Sequence, residues 1–529
     1  MKKSILASSI AAAVFGLGAV TGAQAQSGDI LLVPYFSAQG ANATLLSIIN
    51  TDTVNGKAVK VRFRGAANSD DLFDFQVFLS PTDVFTANIS KGADGRAVFT
   101  TTDASCTKPA ASVLNTTPFI TSRLDPALST DAKANGTREG YVEIINMADI
   151  PPKGANAGDV LQTVVGTTTT NVNPLFTAIK HVKSVAPCSG TAFTALDAAA
   201  ALAPLGALIA PATAASRATT YAQTYGMTPS TGGLVANWAI VNTVNAAAFG
   251  GAATTFSGQP DSVIYAPQIG SGVSSTDIVN WTADPLYLAG TTVSVYNATS
   301  QALQAGTGAA SAVTPGMYDL PDLSTPLNST SSPATQTVSI TNALITSSIS
   351  NEFAVESAIN GSTDWVFSMP SRRYHVAMAY SKISASDDGR RWNRTLNNEA
   401  TTGTNPTPST TVFGRLGTSI VGGLICVTAP TVTPYDREES TPTSSTAVVV
   451  SPSTVAGSTK LCGETSVMSF NNGTGTTKAL EASVAVTAID VGYAAGWATM
   501  ANTFPIIGGA FQRAAFGAQG FGIYRDHRN

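Results

Sequence analysis

Between residues 44 and 147 apolar and polar residues alternate with a period of two, the pattern of strands that turn one face to a core. "TLLSIIN" (44–50) and "AVKVRFR" (58–64) flank a connection containing Asn55-Gly56, a dipeptide suited to positive backbone angles. In the second strand Val59, Val61 and Phe63 alternate with Lys60, Arg62 and Arg64, which predicts one buried face and one wet face. "LFDFQVFLS" (72–80) places Phe73, Phe75, Val77 and Leu79 on one side and stops at Pro81; "GYVEIINM" (140–147) is a further strand. Short strands with polar turns between them read as an antiparallel β-sandwich.

The best helix candidate is the Ala-rich stretch from Phe193 to about Thr220, with Thr194 as N-cap and Pro204 interrupting it. "GGLVANWAIVN" (232–242) returns to strand character around Trp238, residues 297–337 read as a long Ser/Thr/Pro/Gly-rich surface segment, and 342–358 is ambiguous between helix and extended chain. Further strands follow, interrupted by polar stretches at 401–411 and 434–447, and the last are centred on Val484, Val486 and Trp497. In "TDWVFSMPSRRYHVA" (363–377), Trp365, Phe367 and Met369 share one face before Pro370. Tyr374, Val376, Met378 and Tyr380 share one face after Ser371, which predicts an apolar hairpin. Arg372 and Arg373 are expected to pair with Asp364 or with carboxylates of a neighbouring strand, as structural ion pairs.

The organisation expected is a leader at 1–25, a β-sandwich-like region at 26–190, a helical connector at 191–230, a middle β/loop region at 231–337 and a β-rich region at 338–529. The leader is read from Lys2 and Lys3, an apolar run from Ile5 to Val20, and Ala23-Gln24-Ala25 as a cleavage site after Ala25. Without Lys2 and Lys3 the basic residues fall from 29 to 27 against 33 acids, a formal charge of −6. That acidity argues against nucleic acid as a partner, since phosphate binding needs a basic face. The Ala-rich stretch from Ala195 to Ala215 is broken by Pro204, Gly206 and Pro211, so it does not read as a membrane span. A transmembrane barrel is disfavoured by 7% aromatic content and a "YRDHRN" terminus. Only 12% of residues are charged, about half the usual share, so copies repel one another weakly.

Cys106, Cys188, Cys426 and Cys462 in an exported chain suggest two disulfides. Three connectivities exist; Cys106 with Cys188 and Cys426 with Cys462 is favoured because each bridge then staples one half. No C-x-x-C occurs, so a zinc or redox centre is not indicated. Three histidines, His181, His375 and His527, bound any catalytic reading, and a base at His527 is disfavoured because chain ends are usually mobile. No G-x-S-x-G, H-E-x-x-H or P-loop pattern is present. Ser105 to Lys108 fits S-x-x-K without its companion motifs, and "FGAQGFG" (516–522) lacks the glycine order of a dinucleotide site. Calcium is the one cofactor with candidates: Asp70, Asp71 and Asp74, and Asp387 with Asp388. Asp436, Glu438 and Glu439 form a third acidic group. None follows a calcium-loop ladder, and solvated turn carboxylates are the expected reading.

"DILLVPYF", "LLSIINT", "KVRFRGAANSDDLFDFQVFLSPTDVFTA", "REGYVEII", "YDLPDLSTP" and "NEFAVESAINGSTDWVFSMPSRRYHVA" together resemble betaproteobacterial cell-surface proteins, including surface-layer proteins of the Comamonas and Delftia type. The resemblance spans both halves of the chain in the same order. It implies a non-enzymatic structural protein outside the outer membrane, whose partner is itself in an ordered array or sheath, and it brings no catalytic residues. The alternatives are a secreted adhesin that grips a ligand with its loops, and an exported hydrolase with an unmarked carboxylate pair.

Overall fold

Alternating segments become strands because each has one face to bury, and the chain is mainly β with little helix. The computed structural model describes residues 27–121, 124–125, 127–153, 163–165, 168–170, 172–202, 226–256, 293–297, 302–306, 318–319, 341–372, 377–379, 392–393, 418–428, 432–436, 460–471, 478–483, 486–501, 504–516 and 519–528. The leader, Arg373, His375, Asp387 and Asp388 lie outside them, as do Pro204 and residues 401–411.

Two sheets make the first sandwich. One contains β1 (Ile30–Ser37), β3 (Gly56–Gly65), β4 (Asp71–Leu79), β7 (Cys106–Lys108), β8 (Glu139–Ile150) and β13 (Thr254–Phe256), in the order β13-β1-β8-β3-β4-β7. The other contains β2 (Asn42–Asn50), β5 (Val84–Lys91), β6 (Ala97–Thr100), β11 (Leu234–Asn242) and β12 (Ala247–Ala252), in the order β12-β11-β2-β5-β6. Strands from 234–256 are thus built into both sheets of the first 150 residues. Asn55-Gly56 carries the chain from one sheet to the other and closes no hairpin. Between the sheets Val59, Val61, Phe63, Phe73, Phe75 and Trp238 share one core, as the alternation requires. Each such side chain contributes roughly 1.5–3 kcal/mol by leaving water.

The far face of β3 differs from the expected wet surface. Lys60, Arg62 and Arg64 are only 6%, 2% and 0% exposed. At one end of this face the helix Pro174–Ile179, capped by Asn173, which accepts from Leu175 N at 3.0 Å, lays Leu175, Phe176 and Ile179 against Ala58 and Phe78. A second helix, Thr191–Leu202, begins before Phe193; Thr194 lies inside it and donates to Gly190 O at 3.1 Å, so it is no N-cap. The bridge Cys106–Cys188 fastens β7 to the loop between these helices.

A third sheet, β26-β25-β18-β28-β29, is built from β18 (Ser362–Ser368), β25 (Thr465–Asn471), β26 (Val486–Asp490), β28 (Ile507–Phe516) and β29 (Gln519–Asp526). Its β25–β26 pair is parallel. One face gives Val366, Val467 and Phe511 to the first core; the other gives Trp365, Phe367, Met468 and Phe470 to a second. The second core is closed by β17 (Ser348–Ala354), β23 (Val432–Tyr435) and β27 (Ala495–Ala501), paired as β17-β27-β23. It is also lined by β22 (Leu424–Thr428) and β24 (Lys460–Cys462), where Cys426–Cys462 joins two directly paired residues, and β21 (Thr418–Val421) pairs with β22. The ambiguous 342–358 stretch is therefore extended at β17. Short pairs complete the described chain: β9 (Thr163–Val165) with β10 (Thr168–Thr170), β14 (Val293–Asn297) with β15 (Ala302–Gly306), and β16 (Tyr318–Asp319) with β19 (Ala377–Ala379) and β20 (Trp392–Asn393).

The expected hairpin over 363–380 does not form. β18 takes β25 and β28 as neighbours, whereas β19 pairs with β16 and β20. A strand apolar on one face and fully buried on both wants a central place in a sheet, and the turn closed by Arg372 N to Met369 O at 3.0 Å leads the chain out of that sheet. Glycine decides the contact between the third sheet and the first sandwich. A Cβ on Gly522 would stand 2.3 Å from Ala248 O, and one on Gly520 2.3 Å from Asn245 O, so only bare backbone lets β29 lie on β12.

Candidate functional site

Ionisable side chains concentrate first on the covered face of β3. The antiparallel register sets Arg62 opposite both Glu143 of β8 and Asp74 of β4, and Arg64 opposite Asp71. Arg64 Nε donates to Glu143 Oε2 at 3.1 Å, Arg62 Nη1 stands 4.0 Å from the same oxygen, and Arg64 Nη1 lies 3.9 Å from Asp71 Oδ2. Lys60 Nζ is 2.7 Å from Asp74 Oδ2. Three cations thus balance three carboxylates in one buried layer. The expectation that Asp70, Asp71 and Asp74 are solvated turn carboxylates is corrected: Asp70 and Asp71 are each 2% exposed, and Asp74 is held by Lys60. Among the described residues no group of three or more His, Cys, Asp or Glu is placed to hold a metal ion.

At the end of β3, Lys57 Nζ donates to Asp149 Oδ1 at 2.7 Å, Asp52 Oδ2 at 3.1 Å and Thr231 Oγ1 at 3.2 Å, one acceptor for each N–H. Asp52 is lowered to about 2 because, although burial opposes it, the Asn55 and Val54 N–H groups and Lys57 stabilise its carboxylate.

Neither described histidine, His181 or His527, sits in a catalytic group. His181 Nδ1 faces Asp83 Oδ2 at 3.3 Å and Ser80 Oγ at 3.1 Å, so acid and hydroxyl meet one nitrogen, where a triad needs them on opposite ones. His527 is far from mobile. Its Nε2 donates to Val366 O at 3.0 Å, its Nδ1 takes the Asn351 amide at 3.2 Å, and its ring stacks on Phe367 at 4.8 Å. Desolvation lowers it to about 4 against the help of the Val366 carbonyl, so the ring is neutral at pH 7.

The stretch 363–372 supplies joints between the two cores. Arg372 does not meet Asp364: its Nε donates to Glu464 Oε2, in the corner leading into β25, and its Nη1 to Ile425 O at 3.2 Å. Glu464 stands in the turn between β24 and β25 rather than in a strand, and Arg373 lies outside the described residues. Glu464 N also donates to Ala66 O at 2.9 Å, tying this corner to the first sandwich. Asp364 instead accepts from Leu480 N at 2.7 Å, and burial raises it to about 6. Around Leu480 the segment 479–483 bridges the halves: Ser483 N donates to Glu139 Oε1 at 3.0 Å, and Glu481 Oε2 accepts from Ala41 N at 2.8 Å. Of the strand positions expected here, Val484 lies outside the described residues, Val486 opens β26 and Trp497 lies in β27.

No family model, curated protein or solved structure matches this chain. Function must therefore be argued from the surface and from chemistry. Sequence reasoning missed Glu143, Glu464, Glu139 and Glu481, because an acid in a strand or turn carries no mark of the residue that will cover it. It also passed over the β28–β29 hairpin, where Phe516 at the end of β28 and Phe521 and Ile523 on the edge strand β29 are 53%, 56% and 50% exposed. The signal lies in "FGAQGFGI", where large apolar residues alternate with glycines.

Proposed function

We propose that this chain is a structural protein of the outer cell surface that self-associates into a surface layer or sheath. The observation that carries the reading is the β28–β29 hairpin: Phe521 and Ile523 on the last strand of a sheet, and Phe516 at the end of its neighbour, stand in water. Exposed apolar residues on a sheet edge invite another chain. The edge serves a second copy because a sheet of identical subunits needs an open, non-closing contact, repeated laterally. Low charge, the export-like leader and the resemblance to surface-layer proteins support it, and calcium is an added variable of the assembly.

Sizing and electron microscopy of the chain from Gln26, with and without calcium, test the reading. Large ordered assemblies are expected, and Phe521→Ser with Ile523→Ser should shrink them. A monomer under both conditions would overturn it in favour of an adhesin.

A further inference from the structure

Lys60 and Asp74 sit diagonally across the β3–β4 pair, Nζ to Oδ2 2.7 Å, with side chains only 8% and 7% exposed. An ion pair this deep loses the hydration of both charges and recovers it only in part. Burial is the largest influence on Lys60 and lowers it, and Arg62 pushes the same way against Asp74 and Asp71. Each of the three N–H groups of Lys57, by contrast, meets its own acceptor. Burial thus weakens the ammonium at Lys60 and holds it within contact distance of a carboxyl, so passing the proton across the pair costs less than it would in water.

We propose that Lys60 and Asp74 join in an intramolecular isopeptide bond that staples β3 to β4. Proton transfer within the pair gives the amine and the acid. Nζ then attacks Cγ, and Asp71 takes a proton from Nζ and passes it to the departing hydroxyl. The Nζ–Cγ bond forms, a Cγ–O bond breaks, one water leaves, and nothing is oxidised or reduced. Asp71 suits this part: both its carboxylate oxygens are buried and accept no hydrogen bond among the described residues, and its charge reaches Lys60. Removing one cation and one anion leaves Arg62 and Arg64 balanced by Glu143 and Asp71, so the buried layer stays neutral. The bond stands whether or not the chain assembles.

The mass of the purified chain, with its disulfides reduced, decides the matter. It should lie about 18 Da below the sequence mass, the loss of one water. Proteolysis after denaturation should give a branched peptide joining the Lys60 segment to the Asp74 segment. Lys60→Arg should restore the full mass. Asp71→Asn should retain Lys60 and Asp74 but slow the bond's appearance in freshly refolded chain at least tenfold. Full mass in the unsubstituted chain, or a loss mapped elsewhere, overturns the bond whatever the variants do; an unchanged rate in Asp71→Asn overturns the role of Asp71.

Discussion

Replacing Arg372 by Met tests the joint between the two cores. Arg372 and Glu464 are 2% and 0% exposed, so their contact is an ion pair shielded from water. Removing only the guanidinium leaves Glu464 buried without that cation, a change that costs about 3–5 kcal/mol. Replacing Glu464 by Leu as well removes the stranded charge; what persists is the lost donor to Ile425 O, about 1 kcal/mol. The single variant should therefore be less stable than the double by at least about 2 kcal/mol. Urea unfolding followed by the fluorescence of Trp365, which lies in β18 beside this corner, measures both. With slopes of about 1–3 kcal/mol per molar, the midpoint of Arg372→Met should fall by more than about 1 M. Reasoning from burial is refuted if the single variant unfolds within about 0.3 M of the unsubstituted chain, or if the double is the less stable of the two.

Asp364 and His527 give opposite pH dependences that mask each other. Asp364 is raised from 3.8 to about 6, so the native state holds a proton that the unfolded state has released, and stability is lost as pH rises through that window, by about 3 kcal/mol. His527 is lowered from 6.5 to about 4, so stability is lost as pH falls through its window, by up to about 3 kcal/mol and less where water reaches the ring. Asp364→Asn should therefore sharpen acid sensitivity between pH 6.5 and 4, and His527→Gln should make stability decline from pH 4 to 6; parallel melting-temperature profiles for the two would contradict both assignments. Replacing Cys106 and Cys188 together by Ser opens a closure of 82 residues and should cost about 4–5 kcal/mol, read as a lowered thermal midpoint; an unchanged midpoint would count against the bridge as a staple.

The period-two alternation in β3 and β4 was enough to name the strands, and it assigned Val59, Phe63 and Phe75 to a core correctly. The favoured cysteine pairing is also the one observed. These properties are local or depend on a choice among few alternatives. The partners of a strand are neither. β18 reads as half of a hairpin because the nearest apolar strand follows Pro370, yet it pairs with residues about a hundred and a hundred and fifty positions away.

The charged face of β3 shows the same limit. Alternation states that Lys60, Arg62 and Arg64 lie opposite the core; it says nothing about what else the chain will lay over them. Only the folded register brings Glu143 and Asp74 beside Arg62 and turns an expected wet face into a buried, neutral layer. Sequence by itself determined which residues are strands and which face is apolar, since both follow from backbone geometry within a few residues. Tertiary structure alone decided which charges meet, because burial and pairing depend on segments distant in the chain.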